Sequence, residues 1–171
     1  MYIDLNVRYS NQLNDIIDTA IKLGYKVLAI EGISKPFESK LKVIPRVTYP
    51  YTGKAIKLHH NDVVIKVLEI GDSNMIKALD RLRGKCHMIK LKGKTLAGLR
   101  RRHIRLLKNS KIPIEISLTE LIKDNHIHHT YLRGISKLIP YIEKGDIELI
   151  ITSGASTPFE LIHPLSTIAL L

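Results

Sequence analysis

Short apolar runs alternate with stretches of helical periodicity along nearly the whole chain. Residues 2–7 alternate apolar and polar side chains, as a half-buried strand does. Residues 11–23 then carry apolar side chains every three to four positions, which predicts a helix that ends at Gly24. The same succession continues to the last predicted strand. The predicted strands are residues 2–7, 26–30, 41–47, 63–70, 87–91, 112–118 and 147–152.

This alternation favours a parallel sheet covered by its connecting helices. An open doubly wound sheet and a TIM-like barrel both fit the pattern. A full barrel typically needs about 250 residues, whereas this chain has 171. We therefore expect a single α/β domain over residues 1–171, folded as a small or incomplete TIM-like barrel of about seven mainly parallel strands with covering helices.

The positive charge of the chain is concentrated in one segment. The net charge is +11, and residues 73–111 hold 13 Lys and Arg side chains against a single acid, Asp80. The remaining residues are almost neutral. Thermophilic charge enrichment would have added Glu together with Lys. A basic segment of this kind predicts binding to a polyanion, either a nucleic acid or an acidic membrane surface.

A helix predicted over residues 95–108 carries much of this charge. Its apolar side chains form one stripe, and Arg and Lys side chains lie on the opposite face. The preceding strand ends in lysines that would lie near the N-terminal end of the same helix. Arg binds phosphate in a bidentate fashion, whereas Lys acts as a point charge. The predicted RNA-binding residues are Lys90, Lys92, Lys94, Arg100, Arg101, Arg102, Arg105 and Lys108.

No aromatic side chain lies between Tyr51 and Tyr131. Base stacking of the kind used by RRM domains is therefore not expected in the basic segment, and we predict recognition of RNA shape and backbone. The alternative is a helix face that is merely solvated.

Few residues in this sequence are candidates for catalysis or metal binding. Asp4, Asn6 and Arg8 face the same side of the first strand. Asn6 is a poor metal ligand and Arg8 cannot coordinate a metal, so no metal site is expected there. Glu115 lies in an apolar strand, where it could be a catalytic base or could pair with a buried cation. No catalytic residue and no cofactor is predicted.

A histidine cluster formed by His126, His128 and His129 lies at a junction between a loop and a helix. Such clusters can bind zinc, but only Asp124 accompanies this one, so contact with RNA is the preferred interpretation. The single cysteine, Cys86, indicates a reducing compartment, and we expect a cytoplasmic location. No apolar run approaches the ~18 residues of a membrane span. The apolar residues 161–171 are expected to pack against the barrel or a partner.

Several short motifs occur in a characteristic order. They are D-L-N-V-R at residues 4–8, I-P-R-V-T at 44–48, I-E-I at 114–116, Arg133, T-S-G-A at 152–155 and Pro164. Over residues 2–165 this order resembles the component 3 family of archaeal ribonuclease P. That family is similar in fold to the polymerase-and-histidinol-phosphatase metallohydrolases, whose opening D-x-H-x-H metal motif is replaced here by Asp4, Asn6 and Arg8.

The resemblance implies a non-catalytic subunit that binds the ribonuclease P RNA and a small RRM-like partner, component 2. The holoenzyme removes the 5′ leader from precursor tRNA by hydrolysis. His163 stands where the family often has Arg, and relatives usually continue beyond the position of Leu171. The barrel is therefore expected to lack its last elements or to be completed by a partner. The alternatives are a small metal-dependent phosphoesterase or nuclease and a protein that binds an acidic partner chain.

Overall fold

The computed structural model describes residues 2–38, 40–53, 64–123 and 128–168. Seven parallel strands form a nearly closed barrel, which confirms the predicted fold class. The strand order around the barrel is β1-β2-β4-β5-β6-β7-β8, and the short β3 pairs antiparallel with β4. The strands are β1 (Tyr2–Arg8), β2 (Tyr25–Glu31), β3 (Phe37–Glu38), β4 (Lys42–Tyr51), β5 (Ile65–Ile70), β6 (Met88–Leu91), β7 (Ile114–Ser117) and β8 (Leu149–Thr152).

Helices cover the outside of the barrel. The α-helices are α1 (Leu13–Lys22), α2 (Gly93–Ala97), α3 (Arg101–Ser110), α4 (Leu118–Lys123), α5 (His128–Ser136), α6 (Ile139–Ile142) and α7 (Pro164–Ile168). Two 3₁₀ helices cover Ser73–Leu82 and Pro158–Glu160. Two apolar clusters lie between the strands and these helices, one against β1, β2 and β4 and one against β5–β8. The apolar residues therefore face outward from the sheet, which leaves the barrel interior to polar side chains.

The barrel closes where β1 meets the segment after β8. The backbone N–H of Arg8 donates to the carbonyl of Ala155 at 2.8 Å, and the N–H of Gly154 donates to the carbonyl of Asn6 at 2.9 Å. Gly154 has a φ of +68°, and a Cβ there would lie 2.1 Å from the Oγ of Ser117. Only glycine fits this position without a shift of its neighbours.

The predicted helix over residues 95–108 is wrong in one respect, because the structure divides it into α2 and α3. The chain leaves the helix at Gly98, and Arg100 is extended before α3 begins. Glycine has low helix propensity. In addition, the Lys137 ammonium donates to the carbonyls of Ala97 and Leu99 at 2.8 and 3.0 Å, so these groups need no helical partner.

The strand predicted over residues 41–47 is longer in the structure, because β4 continues through Tyr51. This strand pairs with β2 over residues 42–46 and with β5 over residues 46–51. Pro45 therefore precedes the residues paired with β5, and Pro50 follows those paired with β2. A proline can be accommodated in a strand where one side makes no ladder hydrogen bonds.

The apolar segment after residue 158 packs only in part against the barrel. Leu161 is buried in the cluster under β1 and β2, and the Tyr25 hydroxyl donates to the carbonyl of Ile162 at 2.8 Å. In contrast, Phe159 is 95% exposed and Leu165 is 57% exposed. Coverage of these two side chains by a partner stays a prediction. None of the helices in the described ranges is long and apolar enough to cross a membrane.

Candidate functional site

The outer face of α3 carries a group of four cationic side chains. His103 and Leu107 are buried against the barrel, as the apolar stripe predicts, and Ile104, which the predicted stripe did not include, is buried with them. Arg101, Arg102 and Arg105 are exposed, and Lys108 is partly exposed. One side of the helix therefore packs against the barrel, and the opposite side is exposed and can bind a ligand.

These four cations line one surface groove of about 490 Å³. Among the described residues, Tyr141 of α6 also lines the groove. Lys108 forms a salt bridge of 2.7 Å with Asp146, and its side chain remains 42% exposed. Among the residues that the structure describes, Arg101, Arg102 and Arg105 have no carboxylate partner. Their charges are therefore available to an anion such as a phosphate.

His103 lies on the buried side of the same helix. Burial, followed by the nearby Arg102 guanidinium, lowers the pKa of His103 below its ordinary value. The imidazole is therefore neutral at physiological pH and adds no charge to the groove. Its role is to hold the start of α3, since its Nδ1 accepts the backbone N–H of Arg100 at 3.3 Å.

The structure places the three lysines predicted at the strand end in different environments. Lys94 is exposed at the start of α2. Lys92 is also exposed but forms a salt bridge of 2.9 Å with Glu69. The hydrogen bond to the Glu69 carboxylate is the main cause of the raised pKa of Lys92. Lys90 points into the barrel, where it is buried and forms a salt bridge with Glu120. The structure therefore does not place Lys90 on the surface shared by the other cations.

Arg100 is exposed just before α3, where its backbone is extended. It adds a cation at the N-terminal end of the face formed by Arg101, Arg102, Arg105 and Lys108. We call this set of five residues, with Tyr141, the basic face.

The interior of the barrel holds a second set of polar residues, which is neutralised internally. The Arg46 guanidinium donates to both carboxylate oxygens of Glu115, at 2.9 and 2.6 Å. Both side chains have no exposed surface. Asn6 and Thr152 each donate to the same carboxylate at 2.8 Å. Of the two roles considered for Glu115, the structure shows pairing with a buried cation.

Asp4 lies beside this pair, at the seam between β1 and β8. Its carboxylate accepts the backbone N–H groups of Asn6 at 3.0 Å and of Ser153 at 3.3 Å. Burial raises the pKa of Asp4 to about 6, although these hydrogen bonds lower it. In the described part of the chain, no three His, Cys, Asp or Glu side chains converge where they could hold a metal ion.

Arg8, on the same strand, is exposed at the barrel mouth, with its guanidinium 3.9 Å from Glu120. The first strand thus presents one carboxylate, one amide and one guanidinium. A catalytic zinc site typically uses three His, Asp, Glu or Cys ligands, and this strand offers only Asp4 among those residue types.

The predicted histidine cluster lies largely outside the described residues. Asp124 and His126 fall in the undescribed segment, and only the backbone of His128 is described, at the start of α5. His129 is exposed. Contact between this cluster and RNA stays a prediction.

Two residues at the groove were not identified from the sequence pattern. Tyr141 of α6 lies thirty positions beyond the basic segment, and Asp146 lies in the turn after α6. The available signal is topological: in a parallel barrel, successive covering helices lie side by side. That rule predicts the contact between helices but not which side chain enters the groove.

No family model and no curated protein matches this chain. Its structure is similar to a chain in the cryo-EM structure of archaeal ribonuclease P with mature tRNA. The TM-score is 0.57 and the sequence identity 16%, with 99% of this chain and 80% of that chain covered. At this identity the similarity shows a common barrel fold, and it extends over essentially the whole of this chain.

Proposed function

We propose that this chain is a protein subunit of ribonuclease P, of the component 3 type, that binds and supports the catalytic RNA. The RNA-containing holoenzyme is then the endoribonuclease that removes the 5′ leader from precursor tRNA. The partners are the ribonuclease P RNA, precursor tRNA through the holoenzyme, and the small RRM-like component 2. The isolated cytoplasmic chain has no cutting activity in this proposal.

The observation that carries the proposal is the basic face. Three arginines on one side of α3 have no carboxylate partner in the described structure, while the apolar side of the helix is buried. A row of unneutralised cations on a rigid element repels its own members unless an anion is present. A polyphosphate backbone supplies such an anion at regular intervals.

The interior of the barrel supports a non-catalytic role. Active sites of TIM barrels lie at the C-terminal ends of the strands. Here the central carboxylate, Glu115, is occupied by Arg46, Asn6 and Thr152, and Lys90 engages Glu120 near the mouth. A metal-dependent phosphoesterase needs free carboxylates or imidazoles at that place. The fold similarity to a chain found in a ribonuclease P structure favours the same proposal.

The proposal can be tested by purifying the tagged full-length chain from a nuclease-free lysate of its own cells and sequencing the RNA that accompanies it. Enrichment of the ribonuclease P RNA is expected, and the complex should remove the leader from precursor tRNA. A variant with Arg101, Arg102, Arg105 and Lys108 changed to Gln should recover much less RNA. RNA-free material associated with lipid or with an acidic protein would overturn the proposal.

A further inference from the structure

We infer that the groove of the basic face binds an unpaired nucleotide of single-stranded RNA, with the base against Tyr141 and the flanking phosphates on Arg101, Arg102 and Arg105. This inference rests on the proposed function and specifies the form of RNA that the groove accepts. It replaces the expectation, drawn from the sequence, that recognition involves only the shape and backbone of RNA.

The composition of the groove carries the inference. Of the described residues that line it, four are cations and the fifth, Tyr141, is an aromatic residue of another helix. A volume of about 490 Å³ falls within the range of small-molecule sites, about 300 to 1,000 Å³. A flat cationic surface binds phosphates without such a concavity. The combination of a basic groove and an aromatic side chain is how proteins bind unpaired strands.

Tyr141 is held by its backbone on a fixed support. Its carbonyl accepts the N–H of Asp146 at 2.8 Å and that of Ile147 at 3.2 Å, which closes the turn after α6. Asp146 in turn forms the salt bridge with Lys108 of α3. The ring packs in part against the apolar cluster under β5–β8 and is half-buried. The position of the ring relative to α3 is therefore set before any ligand binds, which reduces the entropy cost of binding.

The cations are arranged along one direction of the groove. Arg101 and Arg105 are four residues apart, so they lie about 6 Å apart along the helix axis. This is comparable to the distance between neighbouring phosphates of a nucleic-acid strand. A base in a duplex is already stacked and paired, so its face cannot reach a side chain, whereas an unpaired base can. Duplex RNA would therefore use the cations but not the tyrosine.

The experiment compares a short unstructured RNA strand with a duplex of the same length and sequence, using the full chain and fluorescence anisotropy over a range of salt concentrations. Two variants remove the ring, Tyr141→Ala and Tyr141→Leu, and Tyr141→Phe keeps it. Leucine preserves most of the apolar packing against the core, which guards against a loss of folding. Tyr9→Leu is the matched control, because Tyr9 is 58% exposed and lies outside the groove.

Tyr141→Leu should weaken binding of the single strand about five-fold or more, since stacking of one base contributes roughly 1–3 kcal/mol. Binding of the duplex should change by less than about two-fold. The slope of log affinity against log salt should stay the same, because the cations that bind phosphate are unchanged. Tyr141→Phe and Tyr9→Leu should bind like the unmodified chain.

Equal effects of Tyr141→Leu on single strand and duplex, or no effect on either, would overturn the inference. A further variant tests RNA binding by the cations independently of base stacking. In it, Arg101, Arg102, Arg105 and Lys108 are changed to Gln. If that variant binds both RNAs more weakly and Tyr141→Leu binds them like the unmodified chain, α3 binds RNA without stacking of a base on Tyr141. If neither variant changes RNA binding, the basic face has no role in RNA recognition and the proposed function fails with it.

Discussion

At the scale of single residues, the most informative side chain is Glu115. Its place in an apolar strand is compatible with a catalytic base or with an ion pair, and the sequence does not distinguish them. The partner that decides the matter, Arg46, is 69 residues away along the chain. Both charges are removed from water, so each is tolerated only because the other is present. The structure thus shows Glu115 as the partner of a buried cation.

Changing Arg46 to Met should therefore be strongly destabilising. Glu115 would remain buried without its cation, and breaking a buried pair in this way costs about 3–5 kcal/mol. Urea unfolding followed by circular dichroism measures this change. The double variant Arg46→Met/Glu115→Gln should recover part of the loss, because no buried charge is then left alone. A loss below about 1 kcal/mol for Arg46→Met would show that the carboxylate has another partner.

Asp4 should make the stability of the chain depend on pH. Burial raises its pKa from 3.8 to about 6, so the folded chain binds the proton more tightly than the unfolded chain does. The protonated form contributes to stability fully below about pH 4, and this contribution is lost as the pH rises through about 6. The loss amounts to about 3 kcal/mol, since one pKa unit corresponds to about 1.4 kcal/mol.

Asp4→Asn keeps an oxygen for the N–H groups of Asn6 and Ser153 but carries no charge. Its free energy of unfolding should approach that of the unmodified chain near pH 4 and exceed it by about 3 kcal/mol near pH 7. Urea titrations over this pH range measure the difference. The control is Asp18→Asn, because Asp18 is exposed on α1. Parallel pH profiles for Asp4→Asn and the unmodified chain would contradict the assignment.

At the scale of elements, α3 should allow folding and RNA binding to be separated. Changing Arg101, Arg102, Arg105 and Lys108 to Gln leaves the buried side of the helix intact, so stability should change by no more than about 0.5 kcal/mol per residue. The slope of log affinity against log salt should become shallower by about 0.7–0.9 for each phosphate that the variant no longer binds. Lys108 should contribute less than the arginines, because Asp146 already neutralises it.

The control for this variant removes four charges from the opposite half of the barrel. Lys22, Lys26, Lys35 and Lys42 are exposed there and form no salt bridge with a described residue. Lys137 is unsuitable for this control variant, because its ammonium donates to the carbonyls of Ala97 and Leu99 between α2 and α3. If both variants reduced the slope equally, the attraction would come from net charge alone and the basic face would have no special role.

In α3, the sequence pattern predicts some structural features and not others. Periodicity predicts the buried and exposed sides of α3, because both follow from its own residues. It does not predict the break at Gly98, since the helix propensity of one glycine is a weak signal and the group that stabilises the break belongs to Lys137. The parallel order of the strands follows from the alternation of strands and helices. The groove does not, because Tyr141 reaches α3 only through tertiary packing.

At the scale of the whole molecule, charge is arranged in two ways. Inside the barrel, Arg46 neutralises Glu115 and Lys90 neutralises Glu120, whereas Asp4 has no cationic partner among the described residues. On the basic face, four arginines lack a carboxylate partner among the described residues. The barrel therefore acts as a rigid support for a surface on its outside, whereas TIM-barrel enzymes use the C-terminal mouth. The exposed apolar side chains Phe159 and Leu165 belong to the segment after β8 and are not part of the basic face.

This arrangement predicts that the purified chain alone does not cleave precursor tRNA at any concentration of Mg²⁺, Mn²⁺ or Zn²⁺. The first strand offers Asp4 as its only carboxylate, and the adjoining Glu115 is held by Arg46, so a metal would have to displace a buried ion pair before binding. Such a displacement would leave the Arg46 guanidinium buried without its carboxylate, which costs several kcal/mol.

The measurement combines a cleavage assay with thermal unfolding. A metal at about a thousand times its dissociation constant would stabilise the folded chain by about 4 kcal/mol, so an unchanged melting temperature at millimolar metal rules out micromolar binding. Asp4→Ala serves as the control for contaminating nucleases, since a contaminant keeps its activity in both preparations. Metal-dependent cleavage that Asp4→Ala abolishes would show that the barrel interior opens in solution, and the chain would then be a nuclease in its own right.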